Sequence, residues 1–172
     1  IDAYMMASMA SGGIDKVSVW RKIRVAIITT GEELMMPGQP LLPGRIYNSN
    51  LAYLTGRLMQ LGCDITEGCF VGDDTEAIVS AVRRSAAQAD VILTTGGVSV
   101  GVKDLLPEVI GKLGADLLFH GIDLKPGMPT MASLYNGKTI ISLSGNPFSA
   151  STVFELLMQP LIRKMTGSSH PV

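Results

Sequence analysis

A strand, a glycine-rich loop and a helix follow one another in residues 89–113, and this unit constrains the fold more than any other stretch. Residues 89–93 are a short apolar run of β-forming residues, typical of a buried parallel strand. Residues 105–113 predict a helix, because their apolar side chains recur at helical spacing. These side chains are Leu105, Leu106, Val109, Ile110 and Leu113.

The loop between them, residues 94–104, carries three glycines and a serine and ends at Asp104. Glycines let backbone amides approach a ligand closely, and the next helix adds the positive end of its dipole, so the loop favours phosphate or another anion. Asp104 would repel an anion unless a metal ion lay between them. A purely structural turn, with Asp104 as the helix N-cap, explains the same residues equally well. The loop matches neither the dinucleotide fingerprint nor the P-loop.

Composition narrows the classes of protein to consider. A chain of 172 residues with 47% hydrophobic and 17% charged residues fits one globular domain rather than a disordered segment. The formal net charge of −1 gives no general attraction to nucleic acid or to an acidic membrane. The sequence shows neither an apolar run of membrane length nor a signal peptide. We therefore expect no nucleic-acid partner and no membrane partner.

The two cysteines and the first residue bear on the compartment and on the domain limits. Six extended residues would hold Cys63 and Cys69 about 20 Å apart, so we expect free thiols in a reducing compartment, the cytoplasm. Ile1 is not a methionine, which favours a fragment of a longer chain. We predict a linker helix and lead-in at 1–21, an α/β domain at 22–167 and a tail at 168–172.

Strands alternate with helices along the rest of the chain. This pattern predicts a three-layer α/β domain, in which helices cover both faces of a mixed, mainly parallel sheet. The pair Asn136-Gly137 is a strong hairpin signal and adds one antiparallel strand. Residues 37–44 contain too much proline for regular structure. The last helix is expected from Pro147 to about Met165, with Asn146 as its cap.

Polar residues cluster in the loops that would leave the carboxyl edge of this sheet, where ligands of open α/β sheets bind. These loops are 30–33, 72–74, 96–104 and 144–149. Lys125 adds a cation, and Asp73, Asp74 and Asp104 add carboxylates that suit Mg²⁺ together with phosphate oxygens. The combination suggests a phosphorylated, nucleotide-like ligand with magnesium. Each loop also has a plainer interpretation, since Asp74 and Asn146 could be helix caps and Lys125 a solvated side chain.

Three motifs taken together resemble the molybdopterin molybdenumtransferase family, of the MoeA and gephyrin E-domain type. They are the glycine loop at 95–101 with Asp104, the Lys-Pro-Gly segment at 125–127 with Pro129, and the Ser-Gly-Asn-Pro segment at 144–147 with Ser149. The resemblance implies a molybdopterin-binding, MogA-like domain. In the family, the full-length enzymes insert molybdate into adenylylated molybdopterin with Mg²⁺ and release AMP, and they carry further domains on both sides.

The resemblance also implies roles for particular residues. Asp104, Asp73 and Lys125 would be catalytic, with Mg²⁺ held by the two aspartates and molybdate or phosphate by Lys125. A homo-oligomer is implied for the full-length protein. The implied binding residues for molybdopterin or adenylylated molybdopterin are Thr30, Gly31, Glu33, Gly96, Gly97, Ser99, Gly101, Pro129, Gly145, Asn146, Pro147 and Ser149.

The chain departs from the family pattern at four positions. Asn48 stands where aspartate is common and Met128 where a second lysine is common, while Ser144 and Phe148 replace a usual proline and valine. Loss of a cation at Met128 favours weaker oxyanion binding. The departures leave open a binding or scaffold module without catalysis. A molybdopterin adenylyltransferase is a further alternative, although the glycine loop does not resemble the loop of that branch.

Overall fold

The computed structural model describes residues 1–98 and 105–167, and within them a six-stranded sheet has the order β4-β1-β5-β8-β7-β6. A separate two-stranded ladder joins β2 and β3. The strands are β1 (Arg24–Thr30), β2 (Leu34–Met35), β3 (Ile46–Tyr47), β4 (Asp64–Val71), β5 (Val91–Thr95), β6 (Asp116–His120), β7 (Met131–Tyr135) and β8 (Lys138–Leu143).

Helices cover both faces of the sheet, as the alternating pattern predicts. One core lies between the sheet and α2 with the C-terminal helices, and it contains Leu54, Leu58 and Phe154. The other lies between the sheet and α3 with α4, and it contains Ile78, Val82 and Val109. The helices are α1 (Ala3–Ser11), α2 (Ser49–Gln60), α3 (Thr75–Ala86), α4 (Leu106–Leu113), α5 (Pro147–Val153) and α6 (Gln159–Met165), with a π-helical turn at Phe154–Met158.

The central strands are buried on both faces, which explains their continuous apolar sequence. Strands β4, β1, β5 and β8 run parallel to one another. Strand β7 pairs antiparallel with β8 and with β6. Every residue of β5 is buried, whereas most of edge strand β6 is exposed. The predicted mixed, mainly parallel sheet with one antiparallel strand is therefore confirmed.

Side-chain caps begin α2, α3 and α5, as the sequence predicts for Asp74 and Asn146. Asn48, Asp74 and Asn146 each accept hydrogen bonds from backbone amides in the first turn of the following helix. Helix α4 differs, because it begins at Leu106 and its N-cap position is Leu105, whose apolar side chain cannot cap. Asp104, the cap considered from the sequence, lies outside the described residues, so that alternative stays a prediction.

Two local features differ from the sequence prediction. Residues on both sides of the proline-rich loop pair as the short β2–β3 ladder, where the Ile46 amide donates to the Glu33 carbonyl over 2.8 Å. The last helix contains a π turn immediately before α6, whose first turn holds Pro160. Proline has no amide hydrogen to donate, so regular α-helical bonding cannot run through this point.

The segment before β1 contacts the domain through Trp20 and Arg21 among other residues, although α1 contains no buried residue. Arg21 forms an ion pair with Asp90 at 2.6 Å. Trp20 lies against Gly167, so closely that a Cβ there would overlap its indole ring. Cys63 and Cys69 carry no disulfide in the described chain, as predicted. Among the helices described, none combines the length and the apolar character needed to cross a bilayer.

Candidate functional site

The predicted binding loops meet at one edge of the sheet because four neighbouring strands are parallel. Thr30 ends β1, Asp73 follows β4, Gly96 follows β5 and Gly145 follows β8. The carboxyl ends of parallel strands leave a sheet on the same side, which is where α/β proteins bind ligands. Two glycines, Gly96 and Gly145, let these loops come close together.

Gly96 brings the loop after β5 into direct contact with the end of β1. Its φ of +92° belongs to a region that favours glycine, and a Cβ would overlap the carbonyl oxygen of Thr30 and lie 2.7 Å from its Oγ1. The Gly96 amide donates to the Leu143 carbonyl over 3.2 Å, which ties the same loop to β8. Thr30 Oγ1 in turn donates to the Thr95 carbonyl over 3.3 Å. This position therefore has no room for a side chain.

Gly145 joins the same contact from the loop after β8. A Cβ on Gly145 would lie 3.5 Å from the Gly96 Cα, so the two glycine backbones are adjacent. The Gly145 carbonyl accepts a 2.9 Å hydrogen bond from Asn50 Nδ2 in the first turn of α2. Three loops and one helix end thus meet around these two glycines.

The turn that opens α5 uses most of its amides internally. Asn146 Oδ1 accepts from the amides of Phe148 and Ser149 at 3.0 and 3.1 Å. Ser144 Oγ accepts from the Asn146 amide at 3.2 Å, and Pro147 has no amide hydrogen. An anion would therefore have to displace Asn146 to use these amides, so the plainer interpretation of Asn146 as a cap describes the observed state.

A cavity of about 490 Å³ opens between this turn and the segment that follows β6. Lys125 and Asp123 lie in its wall with opposite charges, and Met128 adds an apolar side chain that is half exposed. Ser149 is 5% exposed, and its Oγ has no hydrogen-bond partner within the described chain. The lining residues are Asp123, Leu124, Lys125, Pro126, Gly127, Met128, Pro129, Ser144, Asn146 and Ser149.

Gly127 lets the cavity wall pack against α5. Its φ is +127°, and a Cβ would lie 2.5 Å from Val153 Cγ2. Its carbonyl accepts a 2.7 Å hydrogen bond from Thr130 Oγ1, which closes the turn. Among the described residues, the Lys125–Pro129 segment is therefore held by close packing at Gly127 and by a turn hydrogen bond.

The loops after β1 and β4 contact each other at a different part of the edge. Asp73 is exposed, and its Oδ2 accepts a 3.3 Å hydrogen bond from the Glu32 amide. The carboxylate of Glu33 folds back over Gly31, where a Cβ would lie 2.8 Å from its oxygens. No cluster of three or more His, Cys, Asp or Glu suited to a metal occurs within residues 1–98 and 105–167. Asp73 therefore belongs to no such cluster among the described residues.

Ser99, Gly101 and Asp104 lie outside the described residues, so the magnesium pair stays a prediction from the sequence. Gly97, at the start of the same loop, has a φ of +64°, and its carbonyl accepts from the Leu106 amide over 3.4 Å. The described end of the loop therefore reaches the first turn of α4, as the strand–loop–helix unit predicts.

Two asparagines at the start of α2 have structural partners that sequence reasoning missed. Asn48 is 2% exposed and donates through Nδ2 to Thr29 Oγ1 over 2.7 Å, while that hydroxyl donates to the Cys69 carbonyl over 3.1 Å. Since the hydroxyl has one proton, it can only accept from residue 48, which suits an amide better than a carboxylate. Asn50 could have been suspected from its low helix propensity within a first turn.

Sequence comparisons relate this chain to one family of known proteins. The family model described as a probable molybdopterin binding domain matches residues 26–164. A relative from Staphylococcus epidermidis named molybdopterin molybdenumtransferase is 36% identical over 168 residues, which are 98% of this chain and 40% of that protein. A relative of the same name from Bacillus subtilis is 38% identical over 96% of this chain and 38% of its own length.

Solved structures show the same similarity. A molybdopterin biosynthesis MoeA protein from Pyrococcus horikosii superposes with a TM-score of 0.88 at 34% identity, covering 99% of this chain and 42% of that one. A MoaB molybdopterin biosynthesis enzyme from a Thermus species superposes with a TM-score of 0.64 at 21% identity, over 84% of this chain and 97% of that one, which shows a shared fold.

The chain spans about two fifths of the length of these curated relatives. The family match nevertheless covers all eight strands from β1 to β8 except the first two residues of β1, and it includes every loop at the carboxyl edge. Together with the buried parallel sheet and the adjoining glycines at its edge, it shows that this chain belongs to the family of molybdopterin-binding domains.

Proposed function

We propose that this chain binds adenylylated molybdopterin and, as part of a longer enzyme, inserts molybdate with Mg²⁺ and releases AMP. The observation that carries the proposal is the meeting of the loops after β1, β5 and β8 at Gly96, next to a cavity with Lys125 in its wall. Such an edge supplies close backbone approach for phosphate and one cation for an oxyanion. The names of the relatives support the reaction type.

Each residue has a proposed role in this reaction. Lys125 would attract molybdate or the substrate phosphate into the cavity, where Pro129 and Ser149 also lie. Asp73 and Asp104 would hold Mg²⁺, which neutralises phosphate charge when it is bound. Thr30, Gly31, Glu33, Gly96 and Gly97 would shape the phosphate-binding side. The proposed compartment is the cytoplasm, where Cys63 and Cys69 would stay reduced.

A second candidate is a module that binds molybdopterin, or serves as an oligomeric scaffold, without catalysis. Met128 supports it, because an apolar side chain lies in the cavity wall where the family pattern has a second lysine. Asn48 also supports it, because its amide is engaged by Thr29 and cannot supply a carboxylate. Under this candidate the pterin binds but no AMP is released.

The proposed metal role is tested by two neighbouring variants. Asp74 caps α3 through a 2.7 Å bond to the Ala77 amide, and asparagine caps equally well, so Asp74→Asn is a matched control for Asp73→Asn. We expect Asp73→Asn to abolish the magnesium dependence of adenylylated molybdopterin binding, measured by calorimetry at several Mg²⁺ concentrations. Asp74→Asn should bind like the wild type. Equal magnesium dependence in both variants would remove Asp73 from the metal site.

Asp104→Asn completes this experiment. We expect it to behave as Asp73→Asn does, since both would lose one metal-binding charge. AMP release and molybdenum incorporation, assayed with the same protein, then distinguish the enzyme from the binding module. Binding without AMP release, also in the full-length protein, would favour the module; absence of any pterin binding would reject both candidates.

A further inference from the structure

Two hydrogen bonds from the start of α2 reach β1 and the loop after β8. Asn48 bonds Thr29 on β1, and Asn50 bonds Gly145 after β8. Since β5 lies between β1 and β8 in the sheet, these two bonds straddle the point where the glycine loop leaves β5. Asn48 is the N-cap of α2 and Asn50 lies in its first turn, so their side chains point in different directions and reach β1 and the loop after β8.

The Gly145 carbonyl accepts its hydrogen bond from a side chain, that of Asn50. The Asn146 carbonyl accepts from the Ala150 amide over 2.9 Å, so it already belongs to the bonding of α5. The Gly145 carbonyl precedes that helix, and the Asn50 amide is its hydrogen-bond donor among the described residues. Asn50 is 8% exposed, so the donor side of this bond is buried, although Gly145 itself is exposed.

We propose that Asn50 is a positioning residue: its amide holds the loop after β8 against Gly96 and so sets the cavity wall before a ligand arrives. Three residues of that loop, Ser144, Asn146 and Ser149, line the cavity. The Gly145–Gly96 contact fixes their distance from the loop after β5. The consequence for binding rests on the proposed function, whereas the positioning of the loop does not.

Helix α2 does not depend on this bond for its own placement. Leu54 and Leu58 are fully buried in the core, and Asn48 caps the helix. Loss of the Asn50 amide should therefore loosen the loop after β8 without unfolding the chain. This separation makes positioning distinguishable from a general role in stability.

The test compares Asn50→Ala and Asn50→Asp with Gln60→Ala, an exposed substitution at the other end of the same helix. Aspartate keeps the size of asparagine, but its ionised carboxylate cannot donate to the Gly145 carbonyl. Hydrogen exchange followed by mass spectrometry reports on a peptide covering 144–149, with a peptide covering β5 as the internal reference. Titration with sodium molybdate reports on the cavity.

We expect exchange in 144–149 to be at least tenfold faster in both Asn50 variants and unchanged in Gln60→Ala, with β5 unaffected. Molybdate affinity should fall at least fivefold in the Asn50 variants only. Unchanged exchange in 144–149 would overturn the proposal, as would equal acceleration in β5, which would make Asn50 a general stability residue. If the wild type binds no molybdate while 144–149 still loosens, positioning stands and the proposed oxyanion role of the cavity fails.

Discussion

The two ends of the parallel sheet differ in how their buried polar groups are paired. At the amino end, Asp90 is 7% exposed and is surrounded by donors. Arg21 donates to it at 2.6 Å, the Arg24 amide at 3.0 Å and the Arg24 guanidinium at 2.9 Å, while Lys138 Nζ forms only a longer ion pair at 3.9 Å. These contacts bind the starts of β1 and β8, and the segment before β1, to one buried carboxylate.

At the carboxyl end, the described loops pack closely through their backbones. Gly96 and Gly145 pack without side chains, Lys125 is exposed, and Ser149 Oγ is buried without a partner in the described chain. Buried polar groups are nearly always hydrogen-bonded, so an unpaired one often marks a functional position. The fold is therefore held by a buried, ion-paired carboxylate at the amino end and by close backbone packing at the carboxyl end.

The largest expected effect comes from filling the glycine contact at the carboxyl end. Gly96→Ala combines a left-handed φ with overlap on the Thr30 backbone, so we expect a loss of about 4 kcal/mol in unfolding free energy. Gly97→Ala is the matched control, since its φ is also left-handed but its Cβ would lie 3.5 Å from Leu106 Cγ, an ordinary contact. It should cost about 1 kcal/mol. Urea unfolding of both variants gives the comparison, and equal losses would refute the close-packing argument.

Removing the charge at the amino end should have the next largest effect. Asp90→Asn leaves its cations without a counter-charge, at a cost of about 3 kcal/mol at pH 7, the low end for a broken buried pair because the arginines stay partly solvated. Asp64→Asn is the control, because its pair with Lys22 is more than half exposed and should contribute less than about 1 kcal/mol. Ligand binding at the other end should not change.

This effect should also depend on pH. The hydrogen bond from Arg21, followed by those from Arg24, holds the pKa of the Asp90 carboxyl well below its usual range although burial opposes it. A depressed pKa in the folded state stabilises fully above the unfolded value, about 3.9, and the contribution is lost as the pH falls through the folded value. The stability difference between wild type and Asp90→Asn should therefore shrink below about pH 4. A difference that is constant from pH 7 to pH 2 would contradict this assignment.

A smaller effect, of opposite sign for stability and binding, is expected at Ser149. Ser149→Ala removes an unpaired buried hydroxyl and should raise the unfolding free energy by up to about 1 kcal/mol. Binding of adenylylated molybdopterin should weaken several-fold if the ligand supplies the missing partner. Ser151→Ala, which removes an exposed hydroxyl that donates to the Phe148 carbonyl, is the control and should not affect binding. Lower stability in Ser149→Ala would mean that the hydroxyl is satisfied in the free protein.

The smallest expected effect on stability is that of a substitution at Met128. The side chain is 54% exposed in the cavity wall, so Met128→Lys should be tolerated with a change in unfolding free energy below about 0.5 kcal/mol. A second cation beside Lys125 should tighten molybdate binding a few-fold, and more at low salt than at high salt. Calorimetry at two salt concentrations checks both parts. Unaltered affinity at both would detach residue 128 from the binding site.

Much of the architecture could be predicted because its signals are local. Apolar runs and helical spacing predicted the strands and helices, Asp74 and Asn146 were identified as possible caps, and Asn136-Gly137 predicted the β7–β8 hairpin. The π turn was missed, because Pro160 forbids one amide bond without stating how the helix adjusts around it. The β2–β3 ladder was missed because two-residue strands carry no periodicity.

The sequence by itself determined the α/β class and which loops carry glycine, hydroxyl and charged groups, since those depend on residue type and spacing along the chain. Only the tertiary structure decided which of these groups meet. It placed Gly96 between Thr30 and Gly145, assigned Asn50 to a carbonyl 95 residues away, and gave Asp90 hydrogen bonds from Arg21 and Arg24 and an ion pair with Lys138. The physical reason is that such contacts depend on strand order and on close approach of backbones, and neither is encoded in the neighbours of a residue along the chain.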